Sequence, residues 1–404
     1  MFSRIMPAHS PGGMQDHVLT LSMALAQRGH HVSVITSGRT DEIELESVNG
    51  VEIYYLKGTP PGRNANAFWF GAASQFEKLH ANQHFDIVHS QSVGAYGVYK
   101  RGLNRYFRLP LVTSIHGTHV DVLTTSWHTD FSPTSPVGTA RFMAVALNLL
   151  YRYAYRDVWF IRGSDIVIAT SDADIFKYKK YYRLDDAHIR KVYNGIDADL
   201  FAPRDATALR EQLGISSGQK VLLALSRLEK DKGVQNAIEI LPGLLSDFPV
   251  CLIVVGDGSY RPALERLAAA KGIAEHVRFV GAQTLAECAR YFNLCDVFLD
   301  PTLRTDGYDL TIAEAMASAK PVIVSDVGAN STLVNAATLE DGVLIPRGDN
   351  RALARETRRL LDNPELTKLM GEKARAKITA CFSIPAMVEG MEHVYAEVLG
   401  SFKR

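Results

Sequence analysis

The feature that most constrains the fold is an alternation of short β-branched segments with longer amphipathic segments, which runs through the chain twice. The first series has predicted strands at residues 31–36, 51–56, 86–89, 111–115 and 165–171, with helices such as 14–28 between them. After Asn194 a second series begins, with predicted strands at 220–226, 250–256, 277–281, 296–300 and 321–325. Apolar strands that alternate with helices are typical of βαβ units and parallel sheets. We therefore expect an α/β protein with two doubly wound domains.

The length of the chain also favours two domains. It has 404 residues, of which 47% are hydrophobic, and single cores stop growing at about 250–300 residues. The helix and strand periodicity is lost near residues 201–206 (FAPRDA), where a proline interrupts it. We expect an N-terminal domain over residues 1–200 and a C-terminal domain over residues 201–384. Residues 385–404 are predicted to form a final helix.

Charge, cysteine content and hydropathy exclude several classes of protein. Lys and Arg number 44 and Asp and Glu also number 44, so no basic excess indicates a nucleic acid partner. The four cysteines contain no Cys-x-x-Cys pair and fit a reduced cytoplasmic protein better than a disulfide framework. The first residues lack the apolar core of a secretory signal. The longest apolar helical stretch, 142–151, is far shorter than the about 20 residues that span a bilayer.

One segment interrupts the alternation. Residues 124–139 (TTSWHTDFSPTSPVGT) are predicted to be irregular, as either a surface connection or a lid or binding loop. The predicted helix 141–163 follows, and like 100–108 and 177–183 it mixes Lys and Arg with aromatic residues. This mixture suits peripheral contact with an anionic membrane, which for a cytoplasmic protein is the inner face of the cell membrane. It equally suits a solvated helix whose tyrosines cover the core.

Two short motifs of the first half follow predicted strands. Gly12 and Gly13 come before the helix 14–28, where free backbone N–H groups and the helix dipole favour an anion. A loop that needs a positive φ would contain the same glycines. His116 follows the strand 111–115, at the edge where open α/β sheets bind ligands, although a lone histidine is more often structural.

Two cations of the second half lie in the loop after the strand 220–226. Arg227 can bind a diphosphate through two parallel hydrogen bonds, and Lys232 can bind it as a point charge. In the alternative interpretation, Glu229 and Asp231 neutralise both cations in an ordinary solvated loop.

A glycine turn follows the next strand, 250–256. Gly256 begins the sequence GDGSYR, which starts like a dinucleotide-binding fingerprint. Arg261 stands where that fingerprint has its third glycine. The motif is therefore too incomplete to predict a dinucleotide site.

The densest motif is TDGYDLTIAEAMA at residues 305–317. A glycine turn leads into a predicted helix, and free backbone N–H groups near residues 309–311 favour an anion there. Two acids, Asp306 and Glu314, lie eight positions apart. Thr311 and Glu314 also match an S/T-x-x-E capping box, which by itself could explain the glutamate.

Taken in order, these motifs resemble the family 4 retaining glycosyltransferases of GT-B fold. The resemblance covers nearly the whole chain, and the motifs that carry it occur in the order of the family. They are GGM (12–14), HG (116–117), NGID with the following Phe201 (194–201), R-x4-K-G (227–233), G-x-G after an apolar strand (256–258), and two acids eight positions apart (306 and 314) that lead into EAMASAKPVIVSD. It implies two Rossmann-like domains that face a cleft, an N-terminal one for the acceptor and a C-terminal one for the nucleotide sugar. It also implies that the last helix crosses back to the first domain.

The resemblance implies a role for each candidate residue. Arg227 and Lys232 would bind the donor diphosphate, and Glu314 would bind the ribose hydroxyls. Gly13 would offer its backbone near the diphosphate, and His116 would contact the donor sugar near its anomeric carbon.

For the sugar itself, the resemblance implies that Asp306 hydrogen-bonds the hydroxyl groups, with help from backbone N–H groups of 308–310. The implied donor-binding set is completed by Gly12, Gly256, Gly307, Tyr308, Asp309, Leu310 and Thr311.

Four departures from the family pattern are visible. Thr332, in GANSTLV, stands where many members have a glutamate after a Gly-Gly turn. Asp306 is one methylene shorter than the usual glutamate. Asp309 stands where the family commonly has glycine or proline, so it either selects a sugar with amino or additional hydroxyl donors or caps the helix. The first predicted strand, 2–6, is unusually short for a central strand.

The expected reaction moves a sugar from a nucleoside diphosphate sugar, either a UDP-sugar or GDP-mannose, to a hydroxyl of a glycan, glycolipid or small molecule. Two cations and a helix N-terminus can stabilise the leaving diphosphate, so neither a metal nor another cofactor is expected. The alternatives are a nucleotide-sugar epimerase or hydrolase on the same fold and a non-catalytic nucleotide-sugar binder. Asp306 and Asp309 favour the second of these.

Overall fold

A computed structural model describes residues 1–10, 12–61, 65–129, 136–304, 309–335 and 340–402. The chain forms two compact units. Unit 1 contains Met1–His119, Met143–Gly195 and Ile384–Arg404, and unit 2 contains Val120–Phe142 and Ile196–Ser383. Two of the separations, after residues 195 and 383, lie near the predicted boundaries at 200 and 384, but residues 120–142, which the sequence analysis placed in the first domain, belong to unit 2.

The ten strands predicted in the two series lie within about two residues of their predicted positions, because buried β-branched runs are strong local signals. The strands at 45–48, 189–191 and 343–345 were not predicted. In chain order the strands are β1 (Val32–Ser37), β2 (Leu45–Val48), β3 (Val51–Leu56), β4 (Val88–Gln91), β5 (Leu111–Ser114), β6 (Ile166–Ala169), β7 (Ile189–Lys191), β8 (Lys220–Leu225), β9 (Val250–Val255), β10 (Val277–Gly281), β11 (Val297–Asp300), β12 (Val322–Ser325) and β13 (Val343–Ile345).

Helices connect most of these strands. In chain order they are α1 (Gly13–Gln27), α2 (Ala65–Asn82), α3 (Tyr96–Lys100), α4 (Leu103–Tyr106), α5 (His119–Thr129), α6 (Pro136–Arg152), α7 (Val158–Arg162), α8 (Asp172–Lys177), α9 (Thr207–Gln212), α10 (Val234–Leu245), α11 (Arg261–Ala270), α12 (Leu285–Leu294), α13 (Leu310–Ala317), α14 (Asn330–Leu333), α15 (Asn350–Asp362), α16 (Pro364–Cys381) and α17 (Ile384–Phe402).

The sheet of unit 1 is joined at its centre by a single residue of the predicted first strand. β1 pairs in parallel with β3, which also pairs with β2, and β4 to β7 form a parallel series. Phe2 makes parallel bridges to Ile35 of β1 and to Ser90 of β4. The predicted strand 2–6 is therefore central, but only Phe2 of it pairs with its neighbours on both sides.

The sheet of unit 2 is a parallel sheet with the order β10-β9-β8-β11-β12-β13. Its central strands are buried on both faces, as in β9 and β11. Such strands appear as continuous apolar runs because helices cover both sides of the sheet. Each unit thus has the doubly wound α/β architecture predicted from the sequence.

The C-terminal helix α17 belongs to unit 1, as predicted. Met387, Met391 and Val398 of α17 share a core cluster with Leu21 and Leu25 of α1. At the edge of this contact, Arg28 lies 2.7 Å from Glu392 of α17. Burial of these apolar side chains stabilises the return of the chain to unit 1.

The prediction of an irregular segment at residues 124–139 is wrong for most of its length. α5 continues to Thr129 and α6 begins at Pro136, while 130–135 lie outside the described residues. Thr124 donates its hydroxyl to the carbonyl of Val120 at 2.7 Å, so a polar side chain is satisfied inside the helix. Proline is favoured in the first turn of a helix, which explains the start of α6.

The predicted helix 141–163 is present as the end of α6, a π-helical turn at Tyr153–Asp157, and α7. Across the part of the chain that the structure describes, no helix combines the length and the hydropathy required to cross a bilayer.

Candidate functional site

The centre of the unit 2 sheet is the natural place for a ligand. Within the sheet, β9 lies next to β8 on one side and β11 lies next to β8 on the other side. The direction in which strands are added therefore reverses between β8 and β11. Ligands of open α/β sheets bind outside the carboxyl ends of the strands at such a switch point. The loops that follow β8 and β11 carry Lys232 and Asp309.

Lys232 lies in a short turn between β8 and α10 and is 8% exposed. The next residue, Gly233, has a φ of 73°, and a Cβ at this position would lie 1.9 Å from the carbonyl oxygen of Pro301. The backbone N–H of Leu303 donates to the carbonyl of Asp231 at 2.8 Å. Glycine therefore allows the two loops to touch, and this contact holds Lys232 at the switch point.

The side chain of Lys232 contacts Asp309. The Nζ atom lies 2.5 Å from Oδ1 of Asp309. Burial by itself would raise the pKa of Asp309, but the charge and hydrogen bond of Lys232, together with the charge of Arg304, lower it overall. Asp309 is therefore an ionised carboxylate with a cationic partner.

Asp300, the last residue of β11, is a third member of this cluster that sequence reasoning missed. It is 6% exposed and lies close enough to Asp309 for the two carboxyl groups to affect each other's pKa. Burial and then the charge of Asp309 raise the pKa of Asp300 to about 8. The only signal in the sequence was a carboxylate at the end of a buried strand.

The acids that could have neutralised the two cations have other partners. Glu229 accepts a hydrogen bond from the hydroxyl of Ser259 at 2.7 Å. Asp231 lies 4.0 Å from Arg304. Arg227 is exposed in the loop after β8. The interpretation of a self-neutralised loop therefore does not describe Lys232, whose partner is Asp309.

Gly256 and Gly258 have a structural explanation. Gly256 has a φ of 125°, and a Cβ there would lie 1.9 Å from the carbonyl oxygen of Ser226. A Cβ at Gly258 would lie 2.4 Å from the carbonyl oxygen of Leu228. Both glycines let the loop after β9 approach the loop after β8. A donor contact at Gly256 stays a prediction.

The helix α13 begins two residues too early for the capping box considered from the sequence. Its first residue is Leu310 and its N-cap position is Asp309, so Thr311 lies inside the first turn. A capping box needs the threonine at the N-cap. Glu314 is buried within α13, so a cap does not account for it. Asp306, Gly307 and Tyr308 lie outside the described residues.

In unit 1, His116 follows β5 as predicted and belongs to a polar network. Its Nε2 lies 2.6 Å from Oε1 of Gln91, the last residue of β4. A carbonyl oxygen only accepts, so Nε2–H donates and Nδ1 is the unprotonated nitrogen. Burial, and then the nearby His17, lower the pKa of His116 to about 3. The imidazole is therefore neutral.

The network extends to the C-terminal helix. The side-chain nitrogen of Gln91 lies 3.4 Å from Nε2 of His89. His89 in turn contacts the hydroxyl of Ser114 at 2.9 Å and, through Nδ1, the hydroxyl of Tyr395 at 2.6 Å. Gln91 was not predicted from the sequence, although its place at the end of β4 puts it on the same sheet edge as His116.

The helix α1 begins at Gly13, with Gly12 at the N-cap position. Gly12 has a φ of 165°, which is extended backbone, so a left-handed conformation does not explain this glycine. The ring of His17 in α1 lies 5.2 Å from the ring of His116. The start of α1 and His116 are thus brought together within unit 1.

Two family models match the chain in succession. The model described as Glycosyltransferase Family 4 matches residues 11–200, and the model described as Glycosyl transferases group 1 matches residues 205–377. The fold and the two matches define a glycosyltransferase of GT-B fold. The chain belongs to the family 4 glycosyltransferases.

Individual proteins support the same class. The chain is 28% identical over 397 residues to N-acetyl-alpha-D-glucosaminyl L-malate synthase of Bacillus anthracis, with 96% of this chain and 95% of the relative covered. Sucrose-phosphate synthase from Thermosynechococcus elongatus has a similar structure, with a TM-score of 0.78, 22% identity, and 97% and 95% coverage. HepE from Anabaena, solved with UDP-glucose, has a TM-score of 0.69, 20% identity, and 99% and 98% coverage.

Proposed function

We propose that this chain is a retaining glycosyltransferase that moves a sugar from a nucleoside diphosphate sugar to a hydroxyl group of its acceptor. The observation that carries the proposal is the buried ammonium group of Lys232 at the switch point of the unit 2 sheet. A cation in that position suits the diphosphate of such a donor. UDP-glucose in the HepE structure favours a uridine donor, while GDP-mannose is the second candidate.

The proposed chemistry follows from where charge develops. As the bond between the sugar and the diphosphate breaks, negative charge grows on the leaving group, and Lys232 and Arg227 would stabilise it. The sugar becomes oxocarbenium-like, as in glycoside hydrolysis. His116 carries a neutral imidazole, which would not repel this cationic sugar. A charged imidazolium would repel it.

We propose that the reaction needs neither a metal nor another cofactor. Lys232 and Arg227 would supply the positive charge that Mg²⁺ supplies to diphosphates in other enzymes. Turnover that survives EDTA would support this, and turnover that EDTA abolishes and Mg²⁺ restores would contradict it.

For the acceptor we propose a glycan, a glycolipid or a small molecule, with peripheral contact to the inner face of an anionic membrane. The helical stretch from α6 to α7 exposes an apolar series in which each side chain is at least half exposed: Met143, Leu147, Leu150, Tyr151, Tyr155 and Trp159. The two other basic and aromatic segments lie beside it. Arg162 donates to the carbonyl of Tyr182 at 2.8 Å, and Tyr99, which directly precedes the segment 100–108, donates to the carbonyl of Trp159 at 3.0 Å.

Basic residues are exposed within this helical stretch and in the segment 177–183. Arg152, Lys179 and Lys180 are exposed, while the acid within the helical stretch, Asp157, is buried beside Arg156. Apolar and aromatic side chains surrounded by exposed Lys and Arg are suited to the headgroup region of an anionic bilayer.

The test is incubation of the purified chain with UDP- and GDP-sugars in EDTA, followed by NMR detection of nucleoside diphosphate release. UDP-glucose and UDP-N-acetylglucosamine belong in the panel because of the names of the similar proteins. Release from one donor would support the proposal and identify the sugar. A changed sugar without transfer to any acceptor would favour the epimerase or hydrolase, and tight donor binding without turnover would favour the binder.

A further inference from the structure

The two strands on either side of Phe2 in the unit 1 sheet extend further than the strand between them. Phe2 bridges Ile35 of β1 and Ser90 of β4. In the same parallel register, residues 31–33 and 86–88 run past the position of Met1 for about three residues on each side. The sheet therefore has a gap at this end, with a strand edge on each side of it.

A cavity of about 230 Å³ lies in this gap. It is lined by residues 31–33 and 86–87 of the two strand edges and by four apolar side chains: Leu25 of α1, Phe76 and Leu79 of α2, and Leu399 of α17. We call this cavity the strand slot.

Apolar groups cover the strand slot from both faces of the sheet. Successive residues of β1 point to opposite faces, and Ile35 packs in one core cluster with Phe76 while Val34 packs in another with Leu25. A strand that is covered on both faces is a continuous apolar run. The strand slot thus suits an extended segment whose side chains are all apolar.

The backbone of β1 offers hydrogen bonds to such a segment. The N–H of Ile35 donates to the carbonyl of Met1 at 2.9 Å, and the carbonyl of Ile35 accepts from Ser3 at 3.1 Å. Because hydrogen bonds to one neighbouring strand recur at every second residue, Ser33 presents its N–H and carbonyl to the same side. Its carbonyl accepts from the nitrogen of Met1 at 2.6 Å, and its N–H is directed into the strand slot.

His89 is the counterpart of Ser33 on β4. Its carbonyl accepts from the N–H of Phe2 at 2.9 Å, and the N–H of Gln91 donates to the carbonyl of Phe2 at 2.9 Å. The N–H of His89 lies on the same side as that of Gln91 and is directed into the strand slot. One backbone donor from each edge therefore faces the slot, and buried backbone donors require partners.

The nitrogen of Met1 lies at the inner end of the strand slot. An ammonium has three donors, and its bond to Ser33 uses one of them. Burial lowers the pKa of this amino group to about 5, because a charge is costly in these surroundings. A peptide N–H at the same position would keep the bond to Ser33 and would carry no charge.

We propose that the strand slot is a binding site for an extended apolar segment of polypeptide, about three residues long, which is joined to the nitrogen of Met1 and lies parallel to β1 and β4. Its carbonyls would accept from Ser33 and His89, and its side chains would pack alternately against α2 and against α1 with α17. The proposal goes beyond the proposed function, because none of these contacts involves the donor. The segment would join β1 to β4 along their full length.

The test compares three full-length chains that differ only before Met1. One carries Val-Ile-Val after a new initiating methionine, the second carries Val-Pro-Val in the same place, and the third has no extension. Proline keeps the middle residue apolar but removes its N–H, so the second extension cannot pair as a central strand. The measurement is amide hydrogen exchange by NMR at Ser33 and His89.

We expect exchange at Ser33 and His89 to be at least about 100-fold slower in the Val-Ile-Val chain than in the other two, since these amides become hydrogen-bonded and buried. Exchange in β9, which lies in unit 2, should be the same in all three chains. The midpoint of urea unfolding gives a second readout and should be highest for the Val-Ile-Val chain.

Equal exchange at the two amides in all three chains would overturn the proposal. Equal protection by Val-Ile-Val and Val-Pro-Val would overturn it as well, because it would mean that an apolar extension covers the cavity without forming a strand. Protection by free acetyl-Val-Ile-Val-amide, but not by the extension, would assign the strand slot to a separate partner and would contradict the link to Met1.

Discussion

The carbonyl oxygen of Pro301 occupies the space where a side chain at position 233 would begin, 1.9 Å from an ideal Cβ. Because Gly233 follows Lys232 directly, this contact fixes the distance between the loop after β8 and the loop after β11. The ion pair of Lys232 with Asp309 depends on that distance. The structure thus couples a backbone contact to the geometry of a charge cluster.

Replacement of Gly233 by alanine should therefore destabilise unit 2 and disturb the cluster. An alanine at position 233 would have to adopt a positive φ, which costs about 1–2 kcal/mol. Its Cβ would also collide with the carbonyl oxygen of Pro301. We expect the free energy of unfolding in urea to fall by more than about 2 kcal/mol.

The matched control is Gly272→Ala. Gly272 has a similar φ of 68°, but no atom lies within 4 Å of its ideal Cβ. The free energy of unfolding of this variant should fall only by the cost of the positive φ, about 1–2 kcal/mol. Equal losses in the two alanine variants would show that the contact with Pro301 carries no free energy.

Replacement of Lys232 by alanine should lower kcat by about 100- to 1,000-fold, since a charge that stabilises the leaving group is lost. The measurement is the rate of nucleoside diphosphate release from the donor found active in the panel. Lys230→Ala is the control, because Lys230 lies in the same turn but is exposed. Near wild-type turnover in Lys232→Ala would contradict the assignment of Lys232 to the diphosphate.

Acid should destabilise unit 1 through its buried histidines. Burial lowers the pKa of His17 to about 4 and that of His116 to about 3, and it lowers the pKa of His89 as well. Unfolded histidines titrate near 6.5, so below that pH the unfolded chain binds more protons than the folded chain. The stability present above pH 6.5 is therefore lost as the pH falls.

We expect each such histidine to remove about 1 kcal/mol from the free energy of unfolding between pH 7 and pH 5.5. Urea unfolding at the two pH values measures this loss. A folded His116→Gln variant should show a loss smaller by about 1 kcal/mol. An identical loss in the variant would mean that His116 is already protonated, or solvated, in the folded chain.

The exposed apolar series of α6 and α7 should determine binding to anionic vesicles. Burial of a leucine side chain contributes about 1.5–3 kcal/mol, so Leu147→Glu should weaken binding to phosphatidylglycerol-containing vesicles at least tenfold in a flotation assay at low salt. Leu369→Glu is the control, because Leu369 of α16 is also half exposed. Equal binding of wild type and Leu147→Glu, or no binding by the wild type, would contradict the membrane proposal.

Much of the fold was predictable because its signals are local. The strands around Leu222 and Ile253 are buried on both faces and therefore appear as unbroken apolar runs. The segment 124–139 was mispredicted because Ser, Thr and Pro, which are common in irregular loops, also occur inside helices and in their first turn. Thr124 is satisfied by a carbonyl four residues earlier, and Pro136 begins a helix rather than ending one.

The candidate site was also predictable only where its signals are local in the sequence. The sequence alone determined the two doubly wound units, the return of α17, and the positions of Lys232 and His116 at the ends of strands, because each depends on periodicity or on the order of motifs along the chain. Only the tertiary structure decided that Asp300 joins Asp309, that Gln91 orients His116, and that Thr311 lies inside its helix. Protonation and hydrogen bonding depend on which groups from distant segments are buried together, and spacing along a chain does not contain that information.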